Sequence, residues 1–224
     1  MTHSLKLDKA TLDEAILDYS VGGLSPARRA ILSCQREISE VVDQEISFHE
    51  SIAASVMVDH EVALSDGFFK RFETRLSDEV NVNQNQADIK VIENNRTPQM
   101  LQRLSGQRLS EIKWKMLALG VSIHDIMGDR TTKDQERLYL LRAKGGKKMP
   151  VHSHNGEEWT LVLTGGYEAE GVMYNRGDLH ISNDNDEHAP HIAEGEDCIC
   201  LVMTQARIKM KNFVPRLVQP LIGI

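Results

Sequence analysis

The sequence predicts an α + β multidomain protein, in which a small helical domain precedes a β domain. Apolar residues recur at helical spacing in the first third of the 224 residues. The last half contains short strand-like segments separated by Gly, Asn and Asp turns, which favours a barrel or sandwich over a parallel α/β sheet. Between them the composition changes to Asn, Gln and Asp. We therefore expect a helical domain at 1–76, a linker at 77–97 and a β domain at 98–224.

A short helix and then a longer one are predicted first. Residues 11–14 form a capping box, and the helix that follows them is expected to end at Gly22. Ser25 and Pro26 supply an N-cap and a first-turn proline for a longer helix. Its apolar spacing continues through Ile46, and we expect the helix to continue or restart as far as Val58.

A third helix is predicted to begin at Ser65-Asp66 and to carry an aromatic stripe. Such a stripe is more often core, but in a small domain we interpret this one as a docking face. Its residues are Phe68, Phe69, Phe72 and Leu76.

The β domain is predicted to contain six main strands. Apolar and β-branched segments alternate with turn residues from Ile112 onward. The predicted strands are residues 112–119, 121–126, 137–143, 158–163, 167–173 and 198–205.

Four side chains in the β domain have the spacing of a metal site. His152 and His154 are two residues apart, so in a strand they point the same way. Glu158 follows at the start of the next strand, and His188 arrives from a later one. Three neutral imidazoles and one carboxylate suit a borderline divalent ion. Zinc is the first choice, and iron, nickel, copper and manganese are also compatible with these ligand types.

Three other residues compete for places in this site. His180 and His191 are alternatives to His188, and Glu157 is the alternative to Glu158. The residues from Gly177 onward resemble a cupin motif that begins at this glycine and ends at a histidine, and this resemblance favours His188.

Composition and charge argue against several classes of function. A net charge of −7 argues against nucleic-acid binding, because phosphate contacts need clustered Lys and Arg. No apolar run approaches the roughly 20 residues that span a bilayer, and the N-terminus lacks the apolar core of a signal peptide. The cysteines Cys34, Cys198 and Cys200 make an odd set, and the last two are too close for a structural disulfide. We expect a cytoplasmic protein that contacts neither DNA nor membrane.

The spacing from Gly146 to His188 resembles the two cupin motifs. The first motif matches at each marked position, whereas Asn183, Asn185 and Ile192 replace the usual proline, glycine and asparagine of the second. These departures fall on turn residues, not on ligands, and Asn tolerates the left-handed backbone. The resemblance implies a cupin β-barrel, an antiparallel jelly-roll, over residues 98–224.

Both halves together resemble the ChrR-type anti-sigma factors. The segments that carry this resemblance are residues 17–24, the cupin motifs, residues 195–201 and residues 215–220. The resemblance implies that residues 1–76 bind and inhibit an extracytoplasmic-function (ECF) sigma factor. It further implies that the cupin half is needed for release under oxidative stress, notably from singlet oxygen.

The helical half departs from this family in its zinc ligands. Its usual His-x3-Cys-x2-Cys pattern is replaced by Ala30, Cys34 and Glu37, and Ala10 stands where the family has an earlier histidine. One thiolate and one carboxylate do not make a closed tetrahedral site. We therefore expect one divalent ion per chain, in the cupin half alone, and we interpret Cys34 as a buried apolar residue.

The alternative function is a metal-dependent cupin enzyme such as a dioxygenase. An open metal position would support such chemistry, but no further acid or base is evident beside the ligands. We therefore favour a regulator over an enzyme. Cys198 and Cys200 are either redox-active groups or core residues, and we favour the core interpretation.

Overall fold

The computed structural model of the chain describes residues 2–57, 97–127, 136–153, 156–183, 187–206 and 209–210. The third predicted helix, almost all of the predicted linker and His154 lie outside these residues. Their predictions therefore remain untested by the structure.

Three helices form the described part of the N-terminal half, and a fourth precedes the strands. They are α1 Thr2–Val21, α2 Pro26–Ile38, α3 Glu40–Met57 and α4 Gln99–Ser105, followed by a 3₁₀ turn at Leu109–Glu111. None of these helices is both long enough and apolar enough to cross a bilayer.

The first helix starts earlier than its capping pattern predicts. It begins at Thr2, so Thr11 lies inside the helix and the predicted capping box is wrong. The predicted end at Gly22 is confirmed: this glycine has φ +80°, and the carbonyls of Tyr19 and Asp18 accept from Gly22 and Gly23. These two hydrogen bonds define a Schellman end, in which glycine adopts the left-handed backbone without a Cβ clash.

The predicted long second helix is divided in two. Ser25 is the N-cap of α2, as predicted, and its hydroxyl accepts from the amide of Arg28 at 3.3 Å. The helix ends at Ile38, and α3 begins two residues later. Ser39 leaves the helical backbone at φ −113°, ψ 110°, and its carbonyl accepts from the amide of Asp43 at 3.0 Å. The chain therefore restarts instead of continuing.

The strands form an antiparallel β fold, as predicted. The six-stranded sheet has the order β1-β2-β3-β10-β5-β8, and smaller sheets have the orders β7-β6-β9 and β11-β4. The strands are β1 Lys115–Ala118, β2 Val121–Asp125, β3 Arg137–Ala143, β4 His152–Ser153, β5 Glu158–Thr164, β6 Gly166–Ala169, β7 Val172–Asn175, β8 Leu179–Ser182, β9 His191–Ile192, β10 Cys198–Thr204 and β11 Lys209–Met210.

One predicted strand is two. Residues 167–173 are divided by a turn at Glu170 and Gly171, which have φ 52° and 78°. Three short strands, β8, β9 and β11, were not among the predicted ones, and β4 was expected only as a strand that contains His152. They contain only two to four residues each, which is too short for a period-2 pattern to be recognised.

The two faces of β5 pack in different cores. Trp159, Leu161 and Leu163 belong to a core that also contains residues of α1, α2 and α4. Val162 belongs to a second core inside the β domain, together with residues of β2, β3, β6, β7 and β10. Strand side chains alternate between faces, so the helical half covers the outer face of the large sheet. The helical and β halves therefore share one apolar core.

Helix α2 supplies most of the helical side of this shared core. The buried residues of α2 are Ala27, Ala30, Ile31, Leu32, Cys34 and Gln35. Full burial of a large aliphatic side chain contributes about 1.5–3 kcal/mol to stability. Removing α2 from the sheet would expose several such side chains at once and would lose their contributions. The amide of Gln35 also donates to the carbonyl of Gly177 at 3.0 Å.

Candidate metal centre

Three of the four predicted ligands meet at one end of the β domain. His152 lies in β4, and Glu158 is the first residue of β5. His188 pairs with His152 through two backbone hydrogen bonds, of 3.1 and 3.2 Å. This pairing places the two imidazole rings 4.4 Å apart, edge to face.

The three side chains can converge on one ion. One potential ligand atom from each of His152, Glu158 and His188 lies within 4.8 Å of the others. All three residues are buried, with 7%, 7% and 5% of their surfaces exposed. Among the described residues no other His, Cys, Asp and Glu side chains form such a group. His154, two residues after His152, lies outside the described part of the chain.

Hydrogen bonds orient the ligands. The Nδ1 atom of His152 lies 2.8 Å from the carbonyl of Pro150, which can only accept, so Nδ1 carries the proton and Nε2 keeps its lone pair. Burial lowers the pKa of His152, which keeps the imidazole neutral. The hydroxyl of Thr160 donates to Oε1 of Glu158 at 3.2 Å. Such outer hydrogen bonds fix the orientation of metal ligands.

The carboxyl group of Glu158 is buried in surroundings that favour a cation. Burial raises its pKa from 4.5 to about 7, although the Thr160 hydrogen bond opposes the shift. A buried carboxylate is costly unless a positive charge compensates it. Two imidazoles and this carboxylate are donors that zinc and similar divalent ions accept. The residues present therefore fit a divalent ion.

The three competing residues make other contacts, although the ring of His180 lies 5.7 Å from the ring of His188. The Nδ1 atom of His180 lies 3.0 Å from the hydroxyl of Tyr167, and its ring stacks on Tyr174 at 4.4 Å. His191 is in β9, where its backbone bridges Lys148. Glu157 points away from the cluster and forms an ion pair with the helical half. None of the three joins the group of converging side chains among the described residues.

A glutamine that the sequence analysis did not single out holds the segment before Glu158. The side-chain oxygen of Gln205 accepts from the backbone N–H of Glu157 at 2.8 Å, and the backbone N–H of Gln205 donates to the carbonyl of Glu157 at 3.1 Å. Gly156 has φ +89°, and a Cβ there would lie 2.4 Å from the same side-chain oxygen. This close approach requires glycine. Gly156, which lies between the predicted ligands His154 and Glu158, is the feature of the sequence that indicates a close contact here.

Cys198 and Cys200 lie on the inner face of β10. Their sulfur atoms are 3.5 Å apart, and both residues are buried among barrel side chains. The hydrogen bond to Cys198 and burial raise the pKa of Cys200 well above its usual value. Because the thiolate is the reactive form, a raised pKa agrees with the core interpretation.

Cys34 and Glu37 stand at two positions of the helical zinc pattern, and both have other roles here. Burial, and then the charge of Glu37, raise the pKa of Cys34 to about 12, so the thiol is neutral. The carboxylate of Glu37 accepts from the amides of Gln99 and Met100 at 2.6 and 2.9 Å. Glu37 therefore caps the start of α4 and joins α2 to the segment that enters the β domain.

The fold agrees with comparisons to known proteins. A family model described as the ChrR cupin-like domain matches residues 104–207. Anti-sigma-E factor ChrR of Cereibacter sphaeroides is 30% identical over 213 residues, which cover 95% of this chain and 96% of that protein. The chain belongs to the ChrR family of anti-sigma factors. The predicted resemblance to this family is thus confirmed over nearly the whole sequence.

Solved structures extend the match to the architecture of the ChrR family. The crystal structure of Rhodobacter sphaeroides SigE in complex with the anti-sigma ChrR matches 86% of this chain and 96% of that one, with 26% identity and a TM-score of 0.65. The predicted helical region followed by a cupin is confirmed by this match. An RmlC-like cupin protein from Ralstonia eutropha matches 47% of this chain, with 20% identity and a TM-score of 0.42. The ChrR relative is a regulator, which agrees with the prediction that this chain is not an enzyme.

Proposed function

We propose that this chain is a cytoplasmic anti-sigma factor that binds and inhibits an ECF-type sigma factor through residues 1–76. In this proposal its metal-binding cupin half is needed for release of the sigma factor under oxidative stress, such as exposure to singlet oxygen. The observation that carries the proposal is an exposed apolar face on the helical half. The match to the ChrR protein over both halves of the chain supports it.

This apolar face runs along α3. Its residues, spaced by seven, four and four positions, form one stripe, which we call the α3 face. They are Val41, Phe48, Ile52 and Val56, with 69%, 58%, 47% and 65% of their surfaces exposed. An adjoining side of α3 buries Val42 and Ile46 against α1. The apolar surface of α3 is therefore wider than the part that α1 covers, and its exposed part needs a second partner, which a sigma-factor helix or groove would supply.

Charge adds selectivity to the α3 face. Helix α3 contains four acidic residues and no Lys or Arg, and residues 1–60 contain ten acids against five bases. An acidic surface steers a basic partner toward it and disfavours DNA. The basic polymerase-binding surface of a sigma factor is a partner of this kind. The clamp would then prevent promoter recognition without a contact to DNA.

For the cupin half we propose one zinc ion held by His152, His154, Glu158 and His188. The converging geometry of the three described ligands supports this set. A zinc ion bound there would supply a fixed positive charge that holds these ligands together, and because zinc itself is not redox-active, an oxidant would have to act on the residues around it. His152 would present Nε2, because its Nδ1 proton is held by Pro150.

The inhibitory part of the proposal is tested with the full chain and the ECF-type sigma factors of the same genome. Each sigma factor is co-expressed with the chain, and one is expected to co-purify in equimolar amount. Run-off transcription by polymerase carrying that sigma factor should stop when the chain is added. If no sigma factor forms a complex and transcription is unaffected, the proposal is wrong.

The role of the cupin half is tested in cells with a reporter for the same sigma factor. With His188→Ala the reporter should stay silent, as with wild type, but should no longer respond to singlet oxygen. A Glu168→Gln variant is a matched control, because Glu168 is exposed on β6 and lies outside the ligand group. Normal induction with His188→Ala would contradict a role for the metal in release.

A further inference from the structure

The residues on either side of the ligand Glu158 both face the helical half. Glu158 points into the β domain, whereas Glu157 and Trp159 point toward α2, as expected for alternating strand positions. The indole N–H of Trp159 donates to Oε2 of Glu157 at 3.0 Å. The start of β5 therefore presents a ligand on one face and a linked pair of side chains on the other.

Arg28 in the first turn of α2 contacts both members of this pair. Its guanidinium lies 3.1 Å from Oε2 of Glu157 and 5.3 Å from the centre of the Trp159 ring. The same guanidinium donates to Oε1 of Glu136 at 2.9 Å, next to β3. We call Arg28, Glu136, Glu157 and Trp159 the Arg28 latch.

The Arg28 latch has further contacts on both sides, although the side chain of Glu157 is 39% exposed. On the helical side, the N-cap residue Ser25 donates its hydroxyl to Glu136, so the start of α2 is tied to the same carboxylate. On the β side, Trp159 is buried with 2% of its surface exposed, and Gln205 holds the backbone of Glu157. The side chains of Arg28 and Glu136 are 19% and 18% exposed, so water weakens their attraction less than at an open surface.

A change at Glu158 therefore reaches α2 by a short covalent path. Peptide units are planar and stiff, so a shift or rotation of the Glu158 backbone moves Glu157 and Trp159 with it. Both are direct partners of Arg28. Another polar contact of α2 with the β half, between Gln35 and Gly177, does not flank a candidate ligand and provides a comparison.

We propose that Arg28 is the positioning residue that couples the metal site of the cupin half to the helical half. This inference deepens the proposed function, since it gives the route by which the metal site influences the clamp. Coupling between two binding sites is reciprocal. If metal binding changes the affinity of the helices for a partner, that partner changes the affinity of the site for the metal by the same factor. The Arg28 latch is then a link between the metal site and the surface that binds the sigma factor.

The test is hydrogen exchange of the full chain with and without Zn²⁺ as the only added ligand. In wild type, Zn²⁺ should slow amide exchange in the strands around the site and also in α2, by at least about fivefold, the lower end of typical coupling factors. In Arg28→Met the strands should still be protected by Zn²⁺, but the rate in α2 should no longer respond. Gln35→Leu also removes a polar contact between α2 and the β half, and α2 should respond in this variant as in wild type.

A second substitution keeps the test decisive if Arg28→Met does not fold. Arg28→Lys keeps the charge and the apolar stem but loses the planar fork that reaches two carboxylates at once. In Arg28→Lys, the factor by which Zn²⁺ slows amide exchange in α2 should fall below half of the wild-type value. An unchanged α2 response in the arginine variants, or no α2 response in wild type, would overturn the inference.

This test is independent of the sigma factor. If no sigma factor binds but the α2 response depends on Arg28, the proposed function fails and the coupling stands. If a sigma factor binds and is inhibited but α2 does not respond to Zn²⁺, the coupling fails and the inhibitory function stands.

Discussion

Truncation of Phe48 is the most direct test of the α3 face. Phe48 exposes 58% of its surface in the free chain, although it is the largest apolar side chain in the stripe. An aromatic side chain offers roughly 200 Å², so a partner that covers the exposed part removes about 115 Å² from water. At 25 cal/mol per Å² this contributes about 2–3 kcal/mol to binding. Phe48→Ala should therefore weaken the affinity for the sigma factor about 30- to 160-fold.

The assay is a titration of labelled sigma factor with the full chain, at two salt concentrations. Leu119→Ala is the matched control, because Leu119 is 86% exposed but lies at the turn between β1 and β2. We expect its Kd to stay within about twofold of wild type, as surface substitutions usually do. Phe48 has few contacts to lose in the free chain, so its thermal stability should be unchanged. An unchanged Kd for Phe48→Ala, or equal losses for both variants, would refute the assignment of the α3 face.

Two further predictions concern the metal site. Purified chain should contain one divalent ion by metal analysis, which His154→Ala should remove and His180→Ala should leave; the reverse result would make His180 the fourth ligand. In metal-free protein, burial raises the pKa of Glu158 from 4.5 to about 7, so its contribution to stability is complete below about pH 4.5 and is lost as the pH rises to about 7. Relative to Glu158→Gln, wild type should lose about 3 kcal/mol of unfolding free energy across this window. A flat difference in chemical denaturation would show that Glu158 is solvated.

The convergence of three of the four candidate ligands was predictable because strand geometry is simple. The interval between His152 and Glu158 places the two residues in separate strands, and the count from Gly177 favoured His188 over His180. The structure brings His152, Glu158 and His188 together. What spacing does not show is the outer layer of contacts. No sequence pattern marks the Pro150 carbonyl or Gln205, because each reaches its partner only through the arrangement of the folded chain.

The helix boundaries show where local signals compete. Ser25-Pro26 and Gly22 were reliable because each satisfies backbone groups in a way that other residues do poorly. The capping box at 11–14 was misleading, because those side chains are also acceptable within a helix that begins upstream. The break at Ser39 carries no proline or glycine. Its cause is tertiary, since the chain must turn there so that α3 can pack on α1 and α2.

The core that the helical and β halves share was the least predictable feature, although the sequence of β5 indicates burial on both of its faces. Trp159 to Leu163 form a nearly unbroken apolar run, and such runs indicate burial on both faces of a sheet. The outer partner of that face is α2, whose own apolar stripe was attributed to a separate domain. Two stripes that each need a partner were therefore present in the sequence. Periodicity does not show that they pack against each other.

This packing constrains how release can occur. Helix α3 packs on α1 and α2, α1 on β8, and α2 on β5 and β10, so the α3 face lies on the far side of the helical layer from the sheet. A sigma factor can occupy that face while the shared core stays closed. Complete separation of the helices from the barrel would expose Leu161, Leu163 and Leu201 together with their partners on α2, at a cost of several kcal/mol. A signal at the metal centre is therefore expected to act by shifting α1 and α2 on the sheet. Such a shift would alter the angle at which α3 is presented, without breaking the core.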